Sequence, residues 1–168
     1  MSDQPDTAHR RGGALEPGAD LSAEARELVI LTIEGQLFGV PVLAVRDVLA
    51  PQPITRIPLA PPEVAGALNL RGRIVTAIDL RRRLGLPAPA KPEQGMSVVV
   101  EHAGELYSLI VDHVSEVMSL PPERFERNPP TIEAQWREIS LGIFRLERGL
   151  LVVLDVDRLL EIRRADAA

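Results

Sequence analysis

The feature that most narrows the possible folds of this chain is an internal repeat. Gly35, Leu37, Val42, Val45 and Val48 recur as Gly104, Leu106, Val111, Val114 and Val117, all 69 residues further on. Phe38/Tyr107, Asp47/Glu116 and Leu49/Met118 are conservative replacements at the same spacing. A second block repeats at a spacing of 76: Gly66, Leu70, Asp79, Arg82 and Leu84 face Gly142, Leu146, Asp155, Arg158 and Leu160. The second copy therefore carries about seven extra residues, placed by length in Pro121–Trp136. Aliphatic hairpins resemble one another by composition, but aligned glycines and an aligned Asp79/Asp155 in the same order indicate duplication. A β unit of about 60 residues buries too little surface to be stable alone. Two such units packed together, with a terminal helix across the seam, are viable.

Each copy opens with β-branched runs that end at turn residues. Leu28–Ile33 leads through Glu34-Gly35 into Gln36–Val40, and Ser97–Glu101 leads through Ala103-Gly104 into Glu105–Val111. Both are the sequence form of a β-hairpin. Further strands are expected at Arg73–Ile78, Val114–Ser119 and Leu150–Leu154. Pro61-Pro62-Glu63-Val64 suits a first helical turn. Asp155–Arg164 suits a C-terminal helix capped by Asp155. Residues 1–25, rich in Asp, Gly, Pro and Ala, read as a disordered arm. Residues 85–95, with three prolines between Pro87 and Pro92, read as a linker. The expected organisation is a first unit over 26–84, a second over 96–154 and the helix over 155–164.

The core must be aliphatic, because only five of 168 residues are aromatic. With no cysteine, a disulfide scaffold, a thiolate metal site and a thiol nucleophile are all excluded. A net charge of −5 argues against nucleic acid, which needs clustered cations. The N-terminus shows no apolar signal region, and the longest apolar run, Gly149–Leu154, is far too short to enter a bilayer as a spanning helix. The protein reads as cytoplasmic, with no direct membrane insertion.

No chemical constellation emerges. His9, His102 and His113 lack metal-ligand spacing, and no nucleophile elbow or phosphate loop is present. No catalytic residue, metal or cofactor is expected. Asp79 and Asp155 read as helix caps, and Arg81-Arg82-Arg83 as a solvated helical turn. Arg71 stands apart: in Asn69-Leu70-Arg71-Gly72 a tight turn aims its guanidinium outward. Asp47, set in the aliphatic run Val45-Arg46-Asp47-Val48, is comparable. The residues alone leave open whether these two are functional or the polar face of ordinary strands. Asp112 and His113 near the seam motivate a competing reading, a small-molecule-binding or catalytic β-barrel.

A wider pattern runs from Phe38-Gly39-Val40 through Val45-x-Asp47-Val48 and Ile57-Pro58 to Gly66-x-x-Asn69-Leu70-Arg71-Gly72. It continues with Asp79-Leu80-Arg81 and Val111-Asp112-x-Val114-x-Glu116-Val117, and closes at Leu154-Asp155-Val156-Asp157-Arg158-Leu159-Leu160. Over residues 26–163 this resembles the CheW family of chemotaxis coupling proteins. The resemblance implies a mainly β fold of two five-stranded SH3-like barrels related by a pseudo-twofold axis. It implies a non-catalytic adaptor that links the cytoplasmic tips of methyl-accepting chemotaxis receptors to the regulatory domain of the histidine kinase CheA, in arrays. The receptor-facing positions it implies are Val45, Asp47, Gly66, Arg71, Val114 and Gly142; it leaves the kinase-facing residues unassigned. Asp47 departs from the family's usual Glu, as do Thr76 from Pro, Ser108 from Gly and His113 from Gly. These departures suit a specialised copy, serving swimming, surface motility or another pathway.

Overall fold

The computed structural model describes residues 27–87 and 94–161. The expected arm (1–25), the middle of the expected linker and the end of the expected C-terminal helix lie outside the described residues. Eleven strands are described: β1 (Glu27–Ile33), β2 (Gln36–Pro41), β3 (Val45–Leu49), β4 (Val64–Leu70), β5 (Arg73–Asp79), β6 (Met96–His102), β7 (Glu105–Val111), β8 (His113–Ser119), β9 (Phe125–Glu126), β10 (Ser140–Leu146) and β11 (Gly149–Leu154). Three short helices accompany them: α1 (Leu80–Arg83), α2 (Ala134–Arg137) and α3 (Val156–Leu160).

The strands form two sheets of matching plan, ordered β3-β6-β7-β5-β4 and β8-β1-β2-β11-β10-β9. The repeat equates β1 with β6, β2 with β7, β3 with β8, β4 with β10 and β5 with β11, so each sheet maps onto the other strand for strand. Even the two-residue β9 has a counterpart, the isolated bridge between Thr55 and Ala67. Mainly β architecture and a pseudo-twofold pair of five-stranded units thus follow the expectation.

The expected division into units over 26–84 and 96–154 requires correction, because the copies exchange their opening hairpins. The β1–β2 hairpin of the first copy joins β8, β10 and β11 of the second, and β6–β7 of the second joins β3, β4 and β5 of the first. The exchange is made by parallel pairing, with Phe38 opposite Val152 and Ile78 opposite Leu109. Each hairpin closes through a two-residue loop with positive φ at Glu34-Gly35 and Ala103-Gly104. That turn matches the strand twist and fixes the register. After each hairpin the chain crosses to the opposite sheet, through the 3-10 turn Val42–Ala44 or past Asp112.

The exchange produces one shared core. Leu31, Ile33, Phe38 and Val40 from one sheet pack in a single cluster with Val98, Val100, Tyr107 and Leu109 from the other. Leu80, Leu84, Leu159 and Leu160 of the short helices and their caps close it. Truncating one such fully buried side chain removes about 2–5 kcal/mol, so neither sheet keeps its inner face without the other.

The expected first helical turn at Pro61–Val64 is instead a turn in which the Val64 amide donates to Pro61 O at 2.9 Å. Val64 then starts β4, because its edge is taken by β5 in register, Leu68 opposite Val75. The caps are as expected. Asp79 accepts from the Arg81 amide at 3.1 Å, and Asp155 from the Arg158 amide at 3.3 Å.

Candidate docking surfaces

Arg71 sits in the β4–β5 loop at φ 51°, followed by Gly72 at φ 87°. The Asn69 side-chain oxygen accepts the Gly72 amide at 2.9 Å, which locks the loop. The Arg71 side chain is 75% exposed, and its Nη1 lies 3.1 Å from Asp47 Oδ2. Asp47 comes from β3, an edge strand. There a bulge opposite β6 falls between Val45 and Asp47, so that Arg46 stands outside the backbone register. Asp47 Oδ1 also accepts the Val48 amide at 2.9 Å, which holds the carboxylate toward the loop. Arg46 pairs with Glu101 at 2.9 Å. The two pairs flank an open groove of about 400 Å³ with Leu70, Val99 and Leu106 along it and Arg73 at its rim. Pre-positioned guanidinium forks beside an apolar strip suit a protein segment that carries both carboxylates or amides and aliphatic side chains.

The six implied receptor-facing residues do not form one patch. Asp47 and Arg71 meet. Val45 is on the same strand but turns inward against the shared core. Val114 occupies the equivalent inward position on β8, in the opposite sheet. Gly66 and Gly142 are buried, and as surface contacts they are corrected. A Cβ on Gly66 would lie 2.2 Å from Thr55 O, and one on Gly142 would lie 2.4 Å from Phe125 Cζ and 2.6 Å from Glu126 O. With φ of 150° and 156°, both are glycine because the chain itself passes there. Each marks a bulge, at Val64/Gly66 and Ser140/Gly142.

A second, equally open groove of about 390 Å³ runs along the seam between the sheets, bounded by Pro41, Leu43 and Ala44 on one side and by Asp155, Val156 and Asp157 on the other. The residues that motivated catalysis at the seam are not in it. Asp112 is clamped by Arg81, whose Nε and Nη2 donate at 3.1 and 2.8 Å, and it accepts the Glu34 amide at 2.9 Å. Burial alone would raise the Asp112 pKa, but these donors, Arg81 first, hold it below the usual carboxylate value. Arg81 also pairs with Glu34 and donates to Pro87 O at 3.0 Å. Arg83 donates to Leu159 O at 2.9 Å, and Trp136 Nε1 to Leu84 O at 2.9 Å. The expectation of a solvated Arg81–Arg83 turn is therefore corrected: Arg81 is only 16% exposed and, with Arg83, ties the two sheets together. Sequence reading missed this because the partners are remote in the chain, although Asp112 and Arg81 both lie in the quoted motifs.

The sequence also passed over a second ion pair. On the opposite sheet Glu116, the aligned counterpart of Asp47, lies 3.6 Å from Arg148 of the β10–β11 loop. The acid was visible in the repeat. The cation was not, since the aligned counterpart of Arg71 is Glu147 and the arginine is one residue later. Among the described residues no group of three or more His, Cys, Asp or Glu is placed to hold a metal ion, and no helix is long and apolar enough to cross a membrane.

Comparison with known proteins agrees with this architecture. The family model for the CheW-like domain matches residues 27–164. The probable chemotaxis protein CheW of Rhizobium etli is 27% identical over 143 residues, covering 85% of this chain and 92% of that protein. Chemotaxis protein CheW of Klebsiella aerogenes is 29% identical over 135 residues, covering 80% and 81%. The crystal structure of the scaffolding protein TtCheW from Thermoanaerobacter tengcongensis superposes with a TM-score of 0.72 at 30% identity, over 81% of this chain and 92% of that one. With the duplicated sheets, the locked Arg71 loop and this match over nearly all the described residues, the chain belongs to the CheW family.

Proposed function

We propose that this protein is a chemotaxis adaptor that acts in the cytoplasm, without catalysis of its own, by holding the tip of a methyl-accepting receptor and the regulatory domain of the histidine kinase CheA in one assembly. The observation that carries the reading is the Asp47–Arg71 pair at the end of an open, partly apolar groove on a rigid hairpin. Asp47 holds the guanidinium in place before a partner arrives, which lowers the ordering cost of binding. Arg71 then offers its remaining donors to polar groups of a receptor helix, while Leu70 and Leu106 receive an aliphatic face. Val45 supports this surface from the core side, and Gly66 lets β4 approach Thr55 so that the loop is correctly placed. Val114 and Gly142 do the same for the opposite sheet. The pathway served, swimming or surface motility, follows from which receptor binds.

Co-sedimentation with receptor cytoplasmic fragments and CheA tests the proposal. Wild-type protein is expected to pellet with receptor fragments, and Arg71→Glu to weaken that binding about tenfold or more, as for an anchoring arginine. Because the side chain is exposed, the melting temperature is expected to stay within about 2 °C. Absence of binding by the wild type to either partner overturns the adaptor reading. A collapsed melting temperature in Arg71→Glu makes the residue structural instead.

A further inference from the structure

The groove at the Arg71 loop gathers positive charge in a chain whose net charge is −5. Arg46, Arg71 and Arg73 line it against two carboxylates, Asp47 and Glu101. Asp47 takes Arg71 at 3.1 Å and Glu101 takes Arg46 at 2.9 Å. Arg73 is left over. It is exposed, and among the described residues no hydrogen-bond acceptor or carboxylate is placed against its guanidinium. Leu70 stands opposite it on β4. Strand alternation puts Arg73 on the face of Val75, whose apolar cluster extends to Leu70 and Leu106. The third cation therefore stands at the edge of the apolar strip with no acid to answer it.

An unpaired arginine on a surface is ordinary, but the duplication supplies an internal control. The apolar members of the strip recur in the other copy, Leu70 as Leu146 and Leu106 as Leu37, because both sheets must fill the same space. The charged members do not recur. Arg46 is replaced by Ser115, Arg71 by Glu147, Arg73 by Gly149 and Glu101 by Thr32; Asp47 alone keeps its sign, as Glu116. On the twin sheet Glu116 and Glu147 thus outnumber the one cation of that loop, Arg148. Two surfaces of like plan carry opposite net charge. Folding requires neither sign, since each sheet forms with its own. The difference acts on what approaches from outside, where opposite charge attracts one partner and like charge repels it.

We propose that Arg73 is the specificity-determining cation of this groove: it selects a partner helix that carries a carboxylate within its aliphatic face. The two glutamates of the twin sheet, with Gly149 in place of the arginine, turn the same helix away. The proposal rests on the adaptor reading, in which that helix belongs to the receptor tip. Leu70 and Leu106 take the aliphatic side chains, and Arg73 pairs with the incoming acid. Arg71 and Asp47 are neutral as a unit, so that pair supplies hydrogen bonds without distinguishing a carboxylate from an amide. Arg73 makes that distinction.

Two short amphipathic helical peptides test it, identical except that one carries glutamate and the other glutamine among its leucines. They are titrated into the full-length, isotopically labelled protein at low salt. The glutamate peptide is expected to shift the amide signals of Leu70, Arg73 and Leu106. It is expected to bind about fivefold more tightly than its twin, as for one ion pair at a solvent-exposed edge. Arg73→Gln is expected to bind both peptides alike, and Arg73→Lys to keep most of the preference. Raising salt from about 0.05 M to about 0.5 M is expected to reduce it. In co-sedimentation, Arg73→Gln is expected to weaken receptor binding by a similar factor. Equal affinity of the wild type for the two peptides, a preference that survives Arg73→Gln, or the absence of shifts at these amides overturns the proposal. So does receptor binding that Arg71→Glu weakens and Arg73→Gln leaves untouched, and in that case the adaptor reading stands. A wild type that prefers the glutamate peptide but pellets with no receptor fragment overturns the adaptor reading instead, and upholds the groove's choice of a carboxylate.

Discussion

The two sheets carry the same device in unequal form. On one, Asp47 of the β3 edge meets Arg71 at 3.1 Å; on the other, Glu116 of the β8 edge meets Arg148 at 3.6 Å. Both cations sit in two-residue hairpin loops, with Leu70 opposite Arg73 and Leu146 opposite Gly149. Only the first loop adopts the positive-φ turn, at Arg71-Gly72, and is locked by Asn69. The Asp47 carboxylate is mostly covered, whereas that of Glu116 is half exposed. In the second sheet, Phe125 of β9 packs against Phe144 with ring centres 5.4 Å apart and planes tilted by 59°; the corresponding bridge at Thr55 contributes no aromatic ring. Duplication supplied the geometry twice, and local turn chemistry decided which copy presents a fixed, partner-ready arginine.

The largest effect that can break this comparison comes from the bulge glycines. Gly66→Ala drives a Cβ to 2.2 Å from the Thr55 backbone oxygen, and Gly142→Ala drives one against the Phe125 ring and, at the longer distance of 2.6 Å, the Glu126 backbone oxygen. Gly66→Ala is expected to destabilise by about 3 kcal/mol and Gly142→Ala by about 2 kcal/mol, read from urea midpoints. Equal or reversed losses would show that the two bulges are not strained in the way their contacts indicate.

A smaller effect separates two carboxylates by pH. The Asp112 pKa is lowered in the fold, so its contribution is present above about pH 4, the unfolded value, and is lost as pH falls through the folded value. Asp112→Asn is expected to cost about 1–3 kcal/mol at neutral pH, since it weakens charged hydrogen bonds to Arg81, and the gap to wild type should close in acid. Asp79 has the opposite sign. Burial raises its pKa above the usual value, so the native state prefers the proton and stability falls as pH rises through the folded value. Asp79→Asn keeps a good cap and removes the buried charge. It is expected to be neutral or stabilising by up to about 1 kcal/mol near pH 7, with no difference near pH 3. Parallel pH shifts for the two variants would contradict the assignment.

The smallest expected effect sharpens the comparison of the loops. Arg148→Glu should alter stability by no more than about 0.5 kcal/mol, because both partners are half exposed. In the co-sedimentation assay it should leave receptor binding near wild type while Arg71→Glu lowers it. Equal losses would make the two loops equivalent docking points.

Much of the fold was legible locally. The β1–β2 and β6–β7 hairpins stood out because a two-residue turn signal separates alternating β-branched runs, and Asp79 and Asp155 because each precedes a short apolar helical turn. Strands β4 and β10 were not read. Each is broken by a bulge at a glycine, Gly66 or Gly142, and the proline pair before Val64 imitates a helix start. The site was half legible. Arg71 and Asp47 drew notice separately, but their contact depends on β3 and β4 lying at opposite ends of a sheet that curls until its edges meet around one groove. The interior position of Arg81 was hidden because its acceptors, Glu34, Pro87 and Asp112, come from three separate parts of the chain.

By itself the sequence determined the strands of the hairpins, the caps, the duplication and the family, since all of these rest on residues close in the chain or on aligned pairs. Tertiary structure alone decided which copy's hairpin completes which sheet. The two copies are alike by descent, so either hairpin presents nearly the same edge and the same valines. The choice is made by burial of both inner faces in one core and by the Arg81 and Arg83 ties across it, interactions that exist only once the whole chain is folded.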